Sequence, residues 1–135
     1  MFGWSKPKPA KVARDYIDAV NARDADRVDA LLADDCRFVD SRGEWLEGRA
    51  NVVEATRNFF ELERNFRWHD MKFAMHNGDV LMRGRATADD ARLAQDTLWQ
   101  ARVSDGKITH WQSFGAGDPV ALVRILLPQE AQVLA

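Results

Sequence analysis

Residues 13–40 read ARDYIDAVNARDADRVDALLADDCRFVD, and this stretch decides the fold. Val12, just before it, and Tyr16, Ile17 and Val20 recur at helical spacing and put one apolar stripe on a first helix. Asn21-Ala22-Arg23-Asp24 ends that helix, and Asp24 is placed to cap a second, short one over Ala25 to Ala33. Val28, Leu31 and Leu32 form its buried stripe. Asp34-Asp35 breaks the helix, and Cys36 to Asp40 alternates as a short strand. Tyr16 on the helix face and Asp40 at the strand end thereby offer a phenol and a carboxylate to one space between helix and sheet.

Outward from this stretch the chain stays regular. Residues 1–9 (MFGWSKPKP) carry no periodicity and are expected to be a flexible N-terminal arm, with Phe2 and Trp4 free to dock or fray. Residues 10–127 form the single domain, and 128–135 a C-terminal tail. Ser41-Arg42-Gly43 turns into a brief strand, Glu44 to Glu47. A helix from Arg49 to Glu63 follows, with Val52, Val53, Phe59, Phe60 and Leu62 as candidate buried positions. Arg67 to His76 and Val80 to Thr87 flank Asn77-Gly78-Asp79, a hairpin signal. Leu93 to Val103 and Ile108 to Phe114 flank Asp105-Gly106, another. Gly115-Ala116-Gly117 ends the sheet, and a last short helix starts at Asp118-Pro119. Helices first and an antiparallel meander afterwards make this an α+β fold with helices on one face of a curved sheet.

Bulk properties narrow the function classes. The 135 residues suffice for one domain burying roughly two-thirds of its unfolded surface. A formal charge of −2 gives no basic face for nucleic acid, and the scattered arginines form no polybasic membrane patch. The single cysteine, Cys36, cannot close an internal disulfide, and with no signal peptide or spanning segment a cytoplasmic location is expected. His69, His76 and His110 are dispersed and lack metal-ligand spacing, and no phosphate loop, nucleophile elbow or CxxC motif is present. No cofactor or metal is expected.

The Tyr16–Asp40 layout resembles the nuclear transport factor 2-like (cystatin-like) superfamily, most closely its SnoaL-like and ketosteroid isomerase-like branches, over about Lys11 to Phe114. The resemblance implies a cone-shaped barrel: a curved, mostly antiparallel sheet wrapped around the N-terminal helices. It also implies a hydrophobic pocket in which Asp40 moves a proton and Tyr16 donates to the developing oxyanion. Strand alternation turns Val80, Met82, Gly84 and Ala86 inward, with Gly84 and Ala86 leaving room, and Arg83 and Arg85 outward. Aligned on the family pattern, Gln95, Thr97, Trp99, Ala101 and Val103 point inward, as do Thr109, Trp111 and Ser113. The expected pocket is Val20, Trp68, His69, Met82, Thr97, Trp99, Trp111 and Ser113, His69 on a strand of ambiguous parity. Trp68, Trp99 and Trp111 suit a flat hydrophobic ligand or plain core packing.

One departure stands out. The second acid that ketosteroid isomerases use as a protonated donor aligns with Trp99, and Asp96 nearby falls on the opposite face unless a bulge shifts the register. Losing an oxyanion donor typically costs on the order of 10²–10³ in rate, against efficient steroid isomerisation. Structural alternatives remain for both main residues: Tyr16 as a core tyrosine, and Asp40 as a turn cap bonding the Arg42 or Gly43 amide. Two functions follow from the resemblance. One is cofactor-free proton transfer, of isomerase, cyclase or lyase type, on a small hydrophobic carbonyl compound, with Trp99 or His69 assisting. The other is a non-catalytic ligand-binding or dimerisation module. Homodimerisation through the outer sheet face is the family expectation.

Overall fold

The computed structural model describes residues 8–115 and 117–133. The expected N-terminal arm therefore lies mostly outside the described residues, and Pro9 already opens the first helix. That helix, α1 (Pro9–Asn21), has Pro at its first turn, where the missing N–H is not needed. It buries Val12, Ala13, Tyr16, Ile17, Ala19 and Val20 and packs across four strands of the sheet. The chain leaves it through Arg23 in the left-handed region (φ 59°). The Arg23 guanidinium donates to the carbonyls of Arg64 and Phe66, pinning this turn to residues 64–66. Asp24 caps α2 (Ala25–Leu31) by accepting from the Arg27 amide at 3.0 Å.

The second helix ends two residues earlier than its pattern indicates, because Leu32 adopts extended geometry and pairs with Ile108. Strand β1 is accordingly long, Leu32–Val39, with an irregularity between Leu32 and Arg37. The remaining elements are β2 (Trp45–Glu47), α3 (Arg49–Leu62), β3 (Arg67–His76), β4 (Asp79–Thr87), a 3₁₀ turn (Ala91–Ala94), β5 (Asp96–Ser104), β6 (Lys107–Gly115) and α4 (Leu122–Leu126). Both hairpins carry two successive residues at positive φ, Asn77-Gly78 and Asp105-Gly106, as type I′ turns require. Leu62, expected inside, is 57% exposed at the end of α3.

The six strands form one sheet in the order β2-β1-β6-β5-β4-β3. Among the described residues only β1 and β6 run parallel; every other strand pairing is antiparallel. The sheet stays open, with β2 and β3 as its edges, so the cone is not a closed barrel. Its inner face carries Val80, Met82, Ala86, Trp99, Ala101, Ile108 and Trp111, all buried. Arg83 and Arg85 are exposed on the other face.

Three bulges break the simple alternation. Asp70 and Met71 of β3 lie opposite Gly84 alone, with Asp70 at φ 56°. A Cβ on Gly84 would sit 2.2 Å from the Met71 sulfur and 2.9 Å from the His69 carbonyl oxygen. The room at Gly84 is thus filled by Met71 rather than left open. Thr97 is the extra residue of β5 and Thr109 that of β6, so neither keeps the inward position its parity indicates.

Candidate functional site

The inner face of the sheet, α1, α3 and the C-terminal segment enclose a cavity of about 80 Å³. That is several times what a single water needs. Tyr16 and Val20 of α1, Trp68 of β3, Trp99 of β5, and Trp111 and Ser113 of β6 line it, and Asp40 lies on its wall after β1. The aromatic rings touch rather than plug the space. Tyr16 and Trp111 have centroids 4.3 Å apart, Trp68 and Trp111 5.7 Å, and Trp68 meets Trp99 edge-on at 5.8 Å.

Three expected pocket residues are elsewhere. His69 follows the inward Trp68 and so points away, its Nε2 2.8 Å from the Thr87 hydroxyl. Thr97 is the bulged residue of β5 and is exposed. Met82 is inward and fully buried, but it pairs with Phe73, well along the hairpin from the Trp68–Ala86 pair. It belongs to the core beyond the cavity wall.

The bulge that removes Thr97 brings in Asp96. Asp96 pairs with Gly115 and lines the cavity. Gly115 makes room for it, since a Cβ there would lie 2.3 Å from the Asp96 Oδ1. The Asp96 carboxyl has no hydrogen-bond partner among the described residues. Burial first, and then the negative charge of Asp40, push its pKa up to about 6. The Tyr16 hydroxyl likewise makes no hydrogen bond among the described residues. Burial raises its pKa too, so it remains a protonated donor.

Asp40 is built differently. It is 1% exposed, and both carboxylate oxygens are occupied. Oδ1 accepts from the Arg42 and Glu44 amides at 3.0 and 3.1 Å, and Oδ2 from the Val123 amide at 3.1 Å. Burial raises its pKa, and the three amides oppose that rise. The turn-capping alternative describes these bonds, with Glu44 in the place expected for Gly43. Fully buried Glu44 takes a two-bonded grip on Arg124, both distances 2.6 Å, and the Ser41 hydroxyl oxygen accepts from the Val120 amide. The turn after β1 thus straps residues 120–124 over the cavity, where Val120, Leu122 and Leu126 complete the wall.

Sequence reasoning missed this covering segment, the α3 face (Val52, Ala55, Thr56, Phe59) and the rim pair Arg92 and Leu93. The only signal for the α3 face was its apolar spacing, which reads equally as core. Buried Cys36, its thiol pushed up to about 11 by burial, is a packing residue. Among the described residues no group of three His, Cys, Asp or Glu could hold a metal ion, and no helix is long and apolar enough to cross a membrane.

Comparison with known proteins agrees with this architecture. An uncharacterised cystatin-fold protein from Novosphingobium aromaticivorans is similar at 20% identity and TM-score 0.67, over 80% of this chain and 98% of that one. An LEH-like epoxide hydrolase from M. tuberculosis is similar at 18% identity and TM-score 0.66, over 80% and 82%. A protein assigned as a ketosteroid isomerase from Kribbella flavida is similar at 20% identity and TM-score 0.63, over 95% and 91%. No curated protein sequence matches the chain. The SnoaL-like domain model matches residues 13–111, well over half of the chain. By that match and by its fold, the chain belongs to the SnoaL-like domain family.

Proposed function

We propose that this protein catalyses cofactor-free proton transfer on a small hydrophobic carbonyl compound held in the cavity. Asp96 is the base and Tyr16 the donor to the carbonyl oxygen. One observation carries the reading: two polar groups without hydrogen-bond partners among the described residues, a carboxyl and a phenol, line one largely apolar cavity. The Asp96 carboxylate takes a proton from the carbon next to the carbonyl. The C–H electron pair becomes a carbon–carbon π bond, and the carbonyl π pair moves to oxygen, where Tyr16 donates a hydrogen bond. Neutral Asp96 then returns the proton to a second carbon or to a departing oxygen, which covers isomerisation and elimination. A pKa near 6 leaves Asp96 mostly ionised at pH 7, yet more basic than an ordinary aspartate. This reading moves the base from Asp40, whose lone pairs are committed to amides, to Asp96.

The test is exchange of the α-hydrogens of a bicyclic aromatic ketone into D₂O, followed by NMR. Asp96→Asn should remove roughly 10²–10⁴ of the catalysed rate, and Asp40→Asn should keep it within about tenfold. Equal rates in wild type and Asp96→Asn end the proposal and favour a binding module on the same scaffold.

We also propose that a second copy of the chain covers the outer sheet face, where Leu81, Leu98 and 37%-exposed Phe114 lie among arginines. Light scattering should then give a dimer mass, lost in Phe114→Glu; a monomeric wild type excludes this assembly.

A further inference from the structure

We propose that the cavity's ligand carries an aliphatic tail at the end away from its carbonyl group, and that a second pocket next to the cavity takes that tail. This narrows the substrate class and rests on the cavity being the ligand site, as proposed above. The second pocket holds about 140 Å³, against about 80 Å³ for the cavity itself. Arg92, Leu93 and Leu122 line both, so the two spaces meet at the 3₁₀ turn and the start of α4. None of these three residues is fully buried.

The chemistry of the walls decides what the second pocket takes. Leu62, Leu93, Leu122 and Ile125 supply its aliphatic surface. Leu62 is 57% and Ile125 46% exposed, although large apolar side chains gain most from burial. An exposed apolar patch with a polar rim is the mark of a binding groove. The charged groups of the rim are already committed. Glu63 is 3% exposed, and its two carboxylate oxygens accept from the Asp89 and Asp90 amides at 2.7 and 3.0 Å. The Asp90 carboxylate accepts from the Arg92 amide at 3.0 Å and from its guanidinium at 2.7 Å. An anionic tail would have to displace Asp90 from Arg92, whereas a hydrocarbon tail needs only the leucines and the isoleucine. The walls are also held before any ligand arrives. Asn58 of α3 donates to the Leu126 carbonyl at 2.8 Å and so fixes α4 on α3. Glu63 and Asn65, just past the end of α3, hold the loop before the 3₁₀ turn, Asn65 by donating to the Asp89 carboxylate at 2.9 Å. A pocket fixed in this way binds without the cost of ordering its walls. The ligand is thus a ketone with an alkyl substituent remote from its carbonyl. A compact bicyclic ketone fills the inner space alone.

The test compares 1-tetralone with 6-propyl-1-tetralone, which differ only in the tail. Each buried carbon should strengthen binding about threefold, so the propyl compound should bind the wild type roughly thirtyfold more tightly. With Leu62→Ser and Ile125→Ser combined, the ratio between the two probes should fall to within about threefold. The wild type gives a second readout that needs no stable variant. The ¹³C-labelled δ-methyl of Ile125, assigned through Ile125→Val, should shift with the propyl probe and stay in place with 1-tetralone. Equal affinities in the wild type, or an Ile125 methyl that the bound propyl probe leaves unmoved, overturn the inference. So does a thirtyfold ratio that persists in the double variant, which puts the tail elsewhere. In those cases 1-tetralone still binds and the chemistry of the inner cavity stands. If neither probe binds, both readings fall. A tail that shifts Ile125 in a protein whose Asp96→Asn variant exchanges hydrogens at the wild-type rate leaves the second pocket and removes the base.

Discussion

Asp40 and Asp96 are two aspartates on one cavity wall, one after β1 and one at the start of β5, and their surroundings are opposite. Asp40 accepts three backbone amides and is almost wholly buried. Asp96 accepts none among the described residues and faces apolar surface. A carboxylate whose lone pairs are already committed is a fastener, and moving a proton to it would release the amides it holds. A carboxylate left desolvated and without donors is poised to take a proton. Residue type and location on the cavity wall are the same; the hydrogen-bond environment divides the roles. Asp40 also serves Asp96, since its fixed charge helps raise the pKa of the neighbour.

The sharpest break of this contrast is kinetic. Exchange activity that falls with Asp40→Asn and survives Asp96→Asn would reverse the two roles outright. Next comes stability. Asp40→Ala strands three buried amides and loosens the strap to residues 120–124, and should cost about 3 kcal/mol in urea unfolding. A loss below about 0.5 kcal/mol would show that the turn stands without the carboxylate.

The smallest effect is the most specific. Asp96 has a folded-state pKa of about 6, above the ordinary 3.8, so the folded form binds its proton more tightly than the unfolded chain does. The stability this confers is complete below about pH 4 and is lost as pH rises through about 6. Asp96→Asn removes the penalty of a buried charge. It should therefore unfold about 1–2 kcal/mol later than wild type at pH 7, with the difference shrinking toward zero at pH 4. A pH-independent difference would mean that Asp96 is well solvated.

Much of the fold was legible in the chain. Helical spacing from Val12 to Val20, the Asp24 cap and two hairpins with glycine after Asn or Asp are local signals, governed by residues a few positions apart. They survive folding because tertiary packing reinforces them. The phenol at Tyr16 followed from helical spacing and the inward tryptophans at 99 and 111 from alignment on the family pattern, and these three reach the cavity, as does Trp68. Where the local rule failed, a bulge or a long-range contact had intervened. One extra residue in β5 exchanged Thr97 for Asp96, and one register step moves a side chain to the other face. His69 is outward because Trp68 is inward, a parity that the strand's own composition left open.

The sequence by itself determined the elements, the α+β class and the polar residues available to a cavity. It did so because period and turn chemistry are encoded in neighbours along the chain. Only the tertiary structure decided which aspartate is fastened and which is free. That choice depends on amides donated by Val123, 83 positions beyond Asp40, and on the space that Gly115 leaves opposite Asp96. Contacts at such separation are set by how the sheet closes over its helices, and no local pattern records them.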